Sequence, residues 1–436
     1  MCYNISIMKK FNTSPISGMQ ELTPAMQAEF NRLKSGIVAA YAQHGFQSIE
    51  TPMIDRAEIL LAKAGGDTEK QVYKVVKTAE TADDADQALR FDHTVPLARY
   101  TVEHMNDLTF PFKVTQIGRN FRGERAQKGR FREFYQCDVD VIGWNSLSVA
   151  YDAEVIATLV DALRVLPLPS FVVRVSNRKL LNGLLQALNL DHLAAEIFNI
   201  VDHAEKVPPE KTVEALQNLG LGTENVVKIT TFIQIHGRYD EVVPKLQSLG
   251  CSDTIFLEGV GELGEVLKTV QELSGATEVI ADMMIVRGLD YYTGTVFETI
   301  APDYREFGSI CSGGRYENLA NYYTDQALPG VGGSIGLTRL FAAFVDAGLV
   351  KASESKPVDV CLIPISSNEY NACAKFAHDL RAQGKTVDLV LTQKKLGDKL
   401  KYASKVAGFA AVIGETEAAS GRYKLRNLET GEEIEQ

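Results

Sequence analysis

The sequence predicts a multidomain α/β protein, and three stretches carry that prediction. Residues 111 to 142 alternate apolar and polar positions like two strands joined by a very basic loop. Residues 177 to 275 read as short helices rich in Leu, Val, Lys and Glu, with little strand signal. Residues 358 to 436 alternate strand-like and helix-like segments, the βαβαβ order of a small, mostly parallel sheet with helices on its faces. A chain of 436 residues also exceeds what one ordinary core accommodates.

The elements follow in order. Thr23 is an N-cap with Pro24 at the first helical position, and Met26, Phe30, Leu33, Ile37 and Tyr41 recur at helical spacing. Gly45 ends this helix, and FQSIETPMI follows as a short extended segment. LRFDHTVPLARY, residues 89 to 100, reads as extended as far as Val95-Pro96, with Arg90, Asp92 and Thr94 on one face. Ser148 starts another amphipathic helix, which ends near LPLP. These segments make a first core part over 11–176, interrupted by a helical insertion over 177–275. The core resumes over 276–346 with the strand-like VIADMMIVRG and YYTGTVFETIAP, a Gly-rich passage and the helix LTRLFAAFVDAG. GLVKASESKPV, residues 347 to 357, is a linker to the last domain, 358–436.

Composition narrows the function classes. No apolar run approaches the roughly 20 residues that span a bilayer. The opening MCYNISIMKK places its basic residues after its apolar ones, the reverse of a secretory signal, so a cytoplasmic location is expected. The six cysteines are scattered without a CxxC pair, which predicts reduced core residues and no structural zinc site. A net charge of -11 argues against a protein that coats nucleic acid, but local basic stripes can still bind it.

The densest chemistry lies in FRGERAQKGRFREFYQCDVDVIG, Phe121 to Gly143. Its first half packs Arg122, Arg125, Lys128, Arg130 and Arg132 into one loop. In its second half, period-two geometry puts Tyr135, Cys137, Val139 and Val141 on an apolar face and Phe134, Gln136, Asp138 and Asp140 on the other. By itself this fits a solvated edge hairpin as well as a polar pocket. Three further peptides accompany it. RGLDYYTGTVFE places Arg287, Asp290, Tyr291 and Tyr292 beside a turn, and CSGGRYENLA adds a Gly-Gly turn with Arg315 and Tyr316. PGVGGSIGLTRLF runs through glycines into a helix with Arg339 in its first turn, an arrangement suited to phosphate. Neither a P-loop nor a GxGxxG in a βαβ unit is present.

These peptides resemble class II aminoacyl-tRNA synthetases. The Arg-rich loop and its strand look like motif 2, GVGGSIGLTRL like motif 3, and the helix ending in GFQSIETP like motif 1. RGLDYYTGTVFE and SGGRYENL resemble the two signature peptides of histidyl-tRNA synthetases, and the tail from LGDKLKYASKV onward is similar to their anticodon-binding domain. The resemblance spans nearly the whole chain. It implies a six- or seven-stranded antiparallel sheet flanked by helices and a homodimer built on motif 1.

Carried over by residue, the resemblance implies a histidine–tRNA ligase that uses ATP, with Mg bridging the outer phosphates and no protein-held metal. Arg122 would bind the α-phosphate and the histidine carboxylate, and Arg287 would face it where other class II enzymes place a metal ion. These two are the expected catalytic pair. Glu124 would contact adenine, Phe134 would stack on it, and Arg339 would hold the β- and γ-phosphates. Asp92, Thr94 and Gln136 would hold the α-amino group, and Asp140 with Tyr292 and Tyr291 would read the imidazole. Gln127, Lys128 and Arg130 would place the tRNA acceptor end. Lys394 and Lys401, with Lys395, Lys399 and Lys405 on one basic helix, would meet RNA in the last domain. LRFDHTVP departs from the LRPEGT form of many bacterial relatives: Asp92 and Asp140 stand where that form carries glutamates, so a slightly different pocket depth is expected. Two rivals remain, a regulatory subunit of ATP phosphoribosyltransferase and a module sensing uncharged tRNA. Retention of Arg122, Arg287 and Arg339 with a full last domain opposes the first, and the lack of an effector region opposes the second.

Overall fold

The computed structural model describes residues 11–61, 69–79, 81, 85–127, 129–286, 292–317, 319–353 and 356–436. The chain forms two compact units, Met1–Lys351 and Ala352–Gln436.

Besides a small three-stranded sheet of Ile54–Arg56, Gln87–Leu89 and Lys74–Val75, the first unit has one large sheet. Its strands run in the order Gln47–Ser48, Phe112–Phe121, Glu133–Ile142, Gly330–Ile335, Cys311–Tyr316, Tyr292–Ile300, Val172–Asn177, Val279–Asp282 and His236–Gly237. Among the described residues the nine strands of this sheet exceed the six or seven expected because two-residue strands extend both edges. All neighbours are antiparallel except Gln47–Ser48 against Phe112–Phe121 and Val172–Asn177 against Val279–Asp282.

Alternation along Glu133–Ile142 decides which face is core. Cys137, Val139 and Val141 are fully buried in a cluster with Phe30, Leu33 and Ile37 of helix Pro24–Gln43 and Leu159 and Leu163 of helix Ala150–Arg164. Each large side chain so buried contributes about 1.5–3 kcal/mol against its exposed state. With one face committed to this core, the register is fixed and Phe134, Gln136, Asp138 and Asp140 must face the other way. The stretch after Asn177 is helical, ending in the long helix Thr254–Ser274, which Asp253 caps by accepting from the backbone N–H groups of Ile255 and Phe256. Phe256, Leu263 and Val266 of that helix join the same buried cluster as the sheet.

Two local expectations are corrected. The extended reading as far as Val95-Pro96 fails, because the strand Gln87–Leu89 stops at Leu89 and the helix Thr94–His104 carries Pro96 in its first turn. Asp92 starts it by accepting from the Val95 N–H at 3.1 Å. The Gly-Gly turn of CSGGRY and the glycines of PGVGGSI are the interiors of strands Cys311–Tyr316 and Gly330–Ile335.

The second unit has a five-stranded sheet in the order Val387–Leu389, Val358–Pro364, Ala407–Ile413, Lys424–Asn427, Glu433–Glu435. The first three are parallel and the last two antiparallel. Helix Tyr370–Ala382 covers one face through Phe376 and Leu380, and helix Leu396–Val406 covers the other through Ala403.

Candidate active site

Two cavities adjoin on the polar side of strand Glu133–Ile142. The larger, about 650 Å³, is lined by Arg122, Glu124, Arg130, Phe134, Gln136, Arg339, Glu306, Phe307 and the segment Ser309–Ser312. The second, about 520 Å³, is lined by Asp92, Thr94, Arg122, Gln136, Asp138, Asp140, Tyr292 and Tyr316. Arg122, Gln136 and Ser334 border both. The Arg122 guanidinium stands 4.3 Å from the centre of the Phe91 ring and 5.0 Å from that of Phe134. Such cation–π contacts orient a charge without neutralising it.

The walls of the smaller cavity form a hydrogen-bonded chain. Asn120 Nδ2 donates to Gln136 Oε1 at 2.8 Å, and Gln136 Nε2 donates to Ser334 Oγ at 2.8 Å. Ser334 in turn donates to Asp138 Oδ1. The other oxygen of Asp138 lies 3.1 Å from His93 Nδ1, an ion-pair distance at which the ring makes no aligned hydrogen bond. Deeper in, Tyr316 donates to Asp140 Oδ1 at 3.0 Å. Burial holds the Asp140 carboxyl well above the usual carboxylate range, and the Asp138 charge pushes the same way. Burial also raises Asp92, opposed by the Val95 N–H and by Arg122.

Backbone forms the floor. A β-carbon at Gly332 would lie 2.0 Å from Asp140 Oδ1, and one at Gly313 would lie 2.2 Å from the Gly332 carbonyl oxygen. Glycine is required at both positions by close approach.

In the larger cavity, Arg339 lies in the first turn of helix Leu337–Asp346. Burial and the neighbouring Arg130 pull its guanidinium down from its ordinary value, but a guanidinium remains charged. Arg130 donates to Glu124 at 3.0 Å. Acceptance of a polyanion beside these arginines relieves their mutual repulsion. The arrangement therefore suits a phosphate chain next to a small zwitterion, with Arg122 between them.

The family model described as Histidyl-tRNA synthetase matches residues 18–340. The chain belongs to the histidyl-tRNA synthetase family. A model described as Anticodon binding domain matches residues 359–436. The histidine–tRNA ligase of Clostridium tetani is 42% identical over 428 residues, 97% of this chain and 96% of that protein. That of Finegoldia magna is 41% identical over 420 residues, 96% of each. The crystal structure of histidyl-tRNA synthetase from Nostoc sp. PCC 7120 matches with a TM-score of 0.85 at 37% identity, covering 98% of this chain and 97% of that one. An ATP phosphoribosyltransferase regulatory subunit/histidyl-tRNA synthetase from Bacillus halodurans, at 20% identity, covers 93% of this chain and 99% of its own with a TM-score of 0.77, a likeness of fold.

For this member of the histidyl-tRNA synthetase family, the structure gathers Asp92, Thr94, Arg122, Gln136, Asp140 and Tyr292 at one cavity and Arg122, Glu124, Phe134 and Arg339 at the other. Arg287, Tyr291 and Lys128 lie outside the described residues. Gln127 is exposed on the turn where its backbone pairs with Arg130. Lys394 and Lys401 are exposed on the second unit, but the basic helix is corrected in two respects. It begins at Leu396, so Lys394 precedes it, and Lys399 is buried with its Nζ donating to the Pro364 carbonyl at 2.7 Å. Two arginines grouped with the ligand-binding peptides serve the scaffold instead. Arg90 donates to the carbonyls of Thr51 and Arg119, and Arg315 pairs with Asp152 at 2.7 Å. Sequence patterning assigns no specific role to Tyr316, Ser334 or Asp138. Asp138 shares the polar face of its strand, a usable signal, whereas no sequence pattern marks Ser334 as its partner.

Proposed function

We propose that the chain is a histidine–tRNA ligase that activates L-histidine with ATP and transfers it to the 3′ end of its tRNA. The observation that carries this reading is the pair of adjoining cavities with Arg122 at their border. The smaller cavity takes histidine. Asp92, Thr94 and Gln136 hold its α-amino group, while Asp140, with Tyr291 and Tyr292, reads the imidazole. Neutral imidazole offers one donor and one acceptor nitrogen, so a carboxylate and a phenol satisfy both. Analogues lacking those groups are rejected by roughly 10⁴. The larger cavity takes ATP, with Phe134 against adenine, Glu124 at its edge and Arg339 on the outer phosphates.

Activation is an in-line attack of the histidine carboxylate on the α-phosphorus. The nucleophile is ionised at neutral pH, so no general base is required. Arg122 brings the two anions together and stabilises charge on the five-coordinate phosphorus, with Arg287 as the second guanidinium. Mg arrives with ATP. Among the described residues no three His, Cys, Asp or Glu side chains gather as a cage, but Glu124, Glu306 and Asp346 line the nucleotide cavity. One or two such carboxylates beside phosphates fit Mg, which would screen the outer phosphates. Gln127, Lys128 and Arg130 guide the acceptor end, and Lys394 and Lys401 contact tRNA from the anticodon-binding domain. The domain division over 11–176, 177–275, 276–346 and 358–436, a homodimer and a cytoplasmic location belong to the same reading. Among the described residues no helix is long and apolar enough to cross a membrane.

The test is exchange of labelled pyrophosphate into ATP. It should depend on histidine and fall about a thousandfold or more in Arg122→Ala. Exchange without histidine, or none at all, would refute the assignment.

A further inference from the structure

We propose that Arg174 is a positioning residue that couples the helical segment after Asn177 to the amino-acid cavity; the proposal rests on the assignment of that cavity to histidine. Arg174 lies on strand Val172–Asn177 with 6% of its surface exposed. Its single guanidinium meets three carboxylates from three separate segments. Glu205, at the C-terminal end of helix Ala194–Ala204, accepts from Nη1 and Nη2 at 2.9 and 3.1 Å. Asp282, which ends strand Val279–Asp282, lies 3.3 Å from Nη1. Glu298, opposite Arg174 on the neighbouring strand, accepts from Nη2 at 3.1 Å.

The position of Glu298 gives this cluster its consequence. Glu298 lines the 520 Å³ cavity assigned to histidine. It also lines a third cavity of about 240 Å³ with Arg174, Asp202, Glu205, Lys206 and Arg305. Asp282 and Glu298 bracket in sequence the peptide that carries Arg287, Tyr291 and Tyr292. One planar fork therefore holds Asp282 and Glu298 together and ties them to a helix end. A displacement of the helix end that carries Glu205 is passed through Arg174 to Glu298 at the cavity wall. A buried arginine among several carboxylates adds little net stability for its desolvation cost, but it fixes direction strongly. Glu205 has a side chain about half exposed, so by stability alone its pairing counts for little. Its bidentate geometry is what a positioning role requires.

The test uses the full chain and measures KM for histidine and for ATP separately by pyrophosphate exchange, in Glu205→Gln, Arg174→Lys and Arg174→Met. Glu205→Gln should raise the histidine KM about threefold and Arg174→Met about tenfold or more, with the ATP KM within about twofold of the parent. Arg174→Lys should fall between the parent and Arg174→Met, and the double variant Arg174→Met/Glu205→Gln should be no worse than Arg174→Met alone. If Arg174→Met does not fold, Glu205→Gln and Arg174→Lys decide the matter. Unchanged histidine KM in those two, even with lowered melting temperatures, would make the cluster structural and overturn the coupling. A parallel rise in both KM values would overturn it too. An inert parent chain would sink the histidine assignment and the coupling with it, whereas an active parent with unchanged variants sinks the coupling alone.

Discussion

Asp140 is placed where its own ionisation is opposed. It is 4% exposed, it faces Asp138, and its carboxyl is raised by burial. A carboxyl with a higher pKa in the fold than in the open chain lowers stability at neutral pH. That loss is absent below about pH 4, where both states are protonated, grows as pH rises through the ordinary carboxylate range, and is complete above the raised native value. Asp140→Asn should therefore melt higher than the parent at neutral pH, with the two curves converging towards about pH 4 in calorimetric scans. The same variant should lose histidine-dependent exchange by about a hundredfold, since it replaces the carboxyl at the imidazole site with an amide. A variant that is both less stable and fully active would contradict the account of Asp140. At this scale the sequence was informative where period-two alternation decided a face, as for Gln136 and Asp140. It was silent where the partner came from a distant strand, as with Ser334 on Asp138 or Tyr316 on Asp140. Composition cannot separate Arg339 at a cavity from Arg315 locked on Asp152, because both are arginines in glycine-rich peptides.

Among elements, the glycine-bearing strands departed most from expectation. Local chemistry reads Gly-Gly as a turn, but these glycines answer to atoms on neighbouring strands. Gly332→Ala would place a methyl group 2.0 Å from Asp140 Oδ1 and 2.9 Å from the Val139 carbonyl oxygen. Both contacts come from the paired strand Glu133–Ile142, so the methyl group must displace the Asp140 side chain or part the two strands, and overpacking of about 1–3 kcal/mol should appear as a lowered melting temperature. Histidine KM should rise with it. A second contrast belongs to helix Leu396–Val406. Lys399, 3% exposed, supports the second unit through the Pro364 carbonyl, so Lys399→Ala should lower the melting temperature of that unit. Lys401→Ala should leave melting unchanged and weaken tRNA binding. Equal effects of the two on both readouts would show that burial does not separate their tasks. The basic run was legible in the sequence, but the turn of helix that buries one lysine was not, since it depends on where the helix begins.

At the scale of the whole molecule, a net charge of -11 must coexist with binding of a polyanion. Long-range attraction is then unavailable, and affinity for tRNA should rest on a few local contacts. The slope of log affinity against log salt should be correspondingly shallow, about 0.7–0.9 for each phosphate neutralised. Lys401→Ala should reduce that slope by about one contact in filter-binding titrations, while pyrophosphate exchange stays nearly insensitive to salt over the same range. A slope unchanged by Lys401→Ala would remove that lysine from the interface. The order of the large segments was readable because each has its own periodicity. The size of the sheet was not, because its edge strands are two residues long and leave no pattern.

The peptide floor at Gly313 and Gly332 has a consequence for any attempt to alter which amino acid is accepted. A surface made of main chain offers nothing to trim, so depth there is set once the sheet has formed. Room for a bulkier substrate must come from the sides, by shortening Tyr316 or Tyr292, and either cut removes an aromatic wall together with the space it filled.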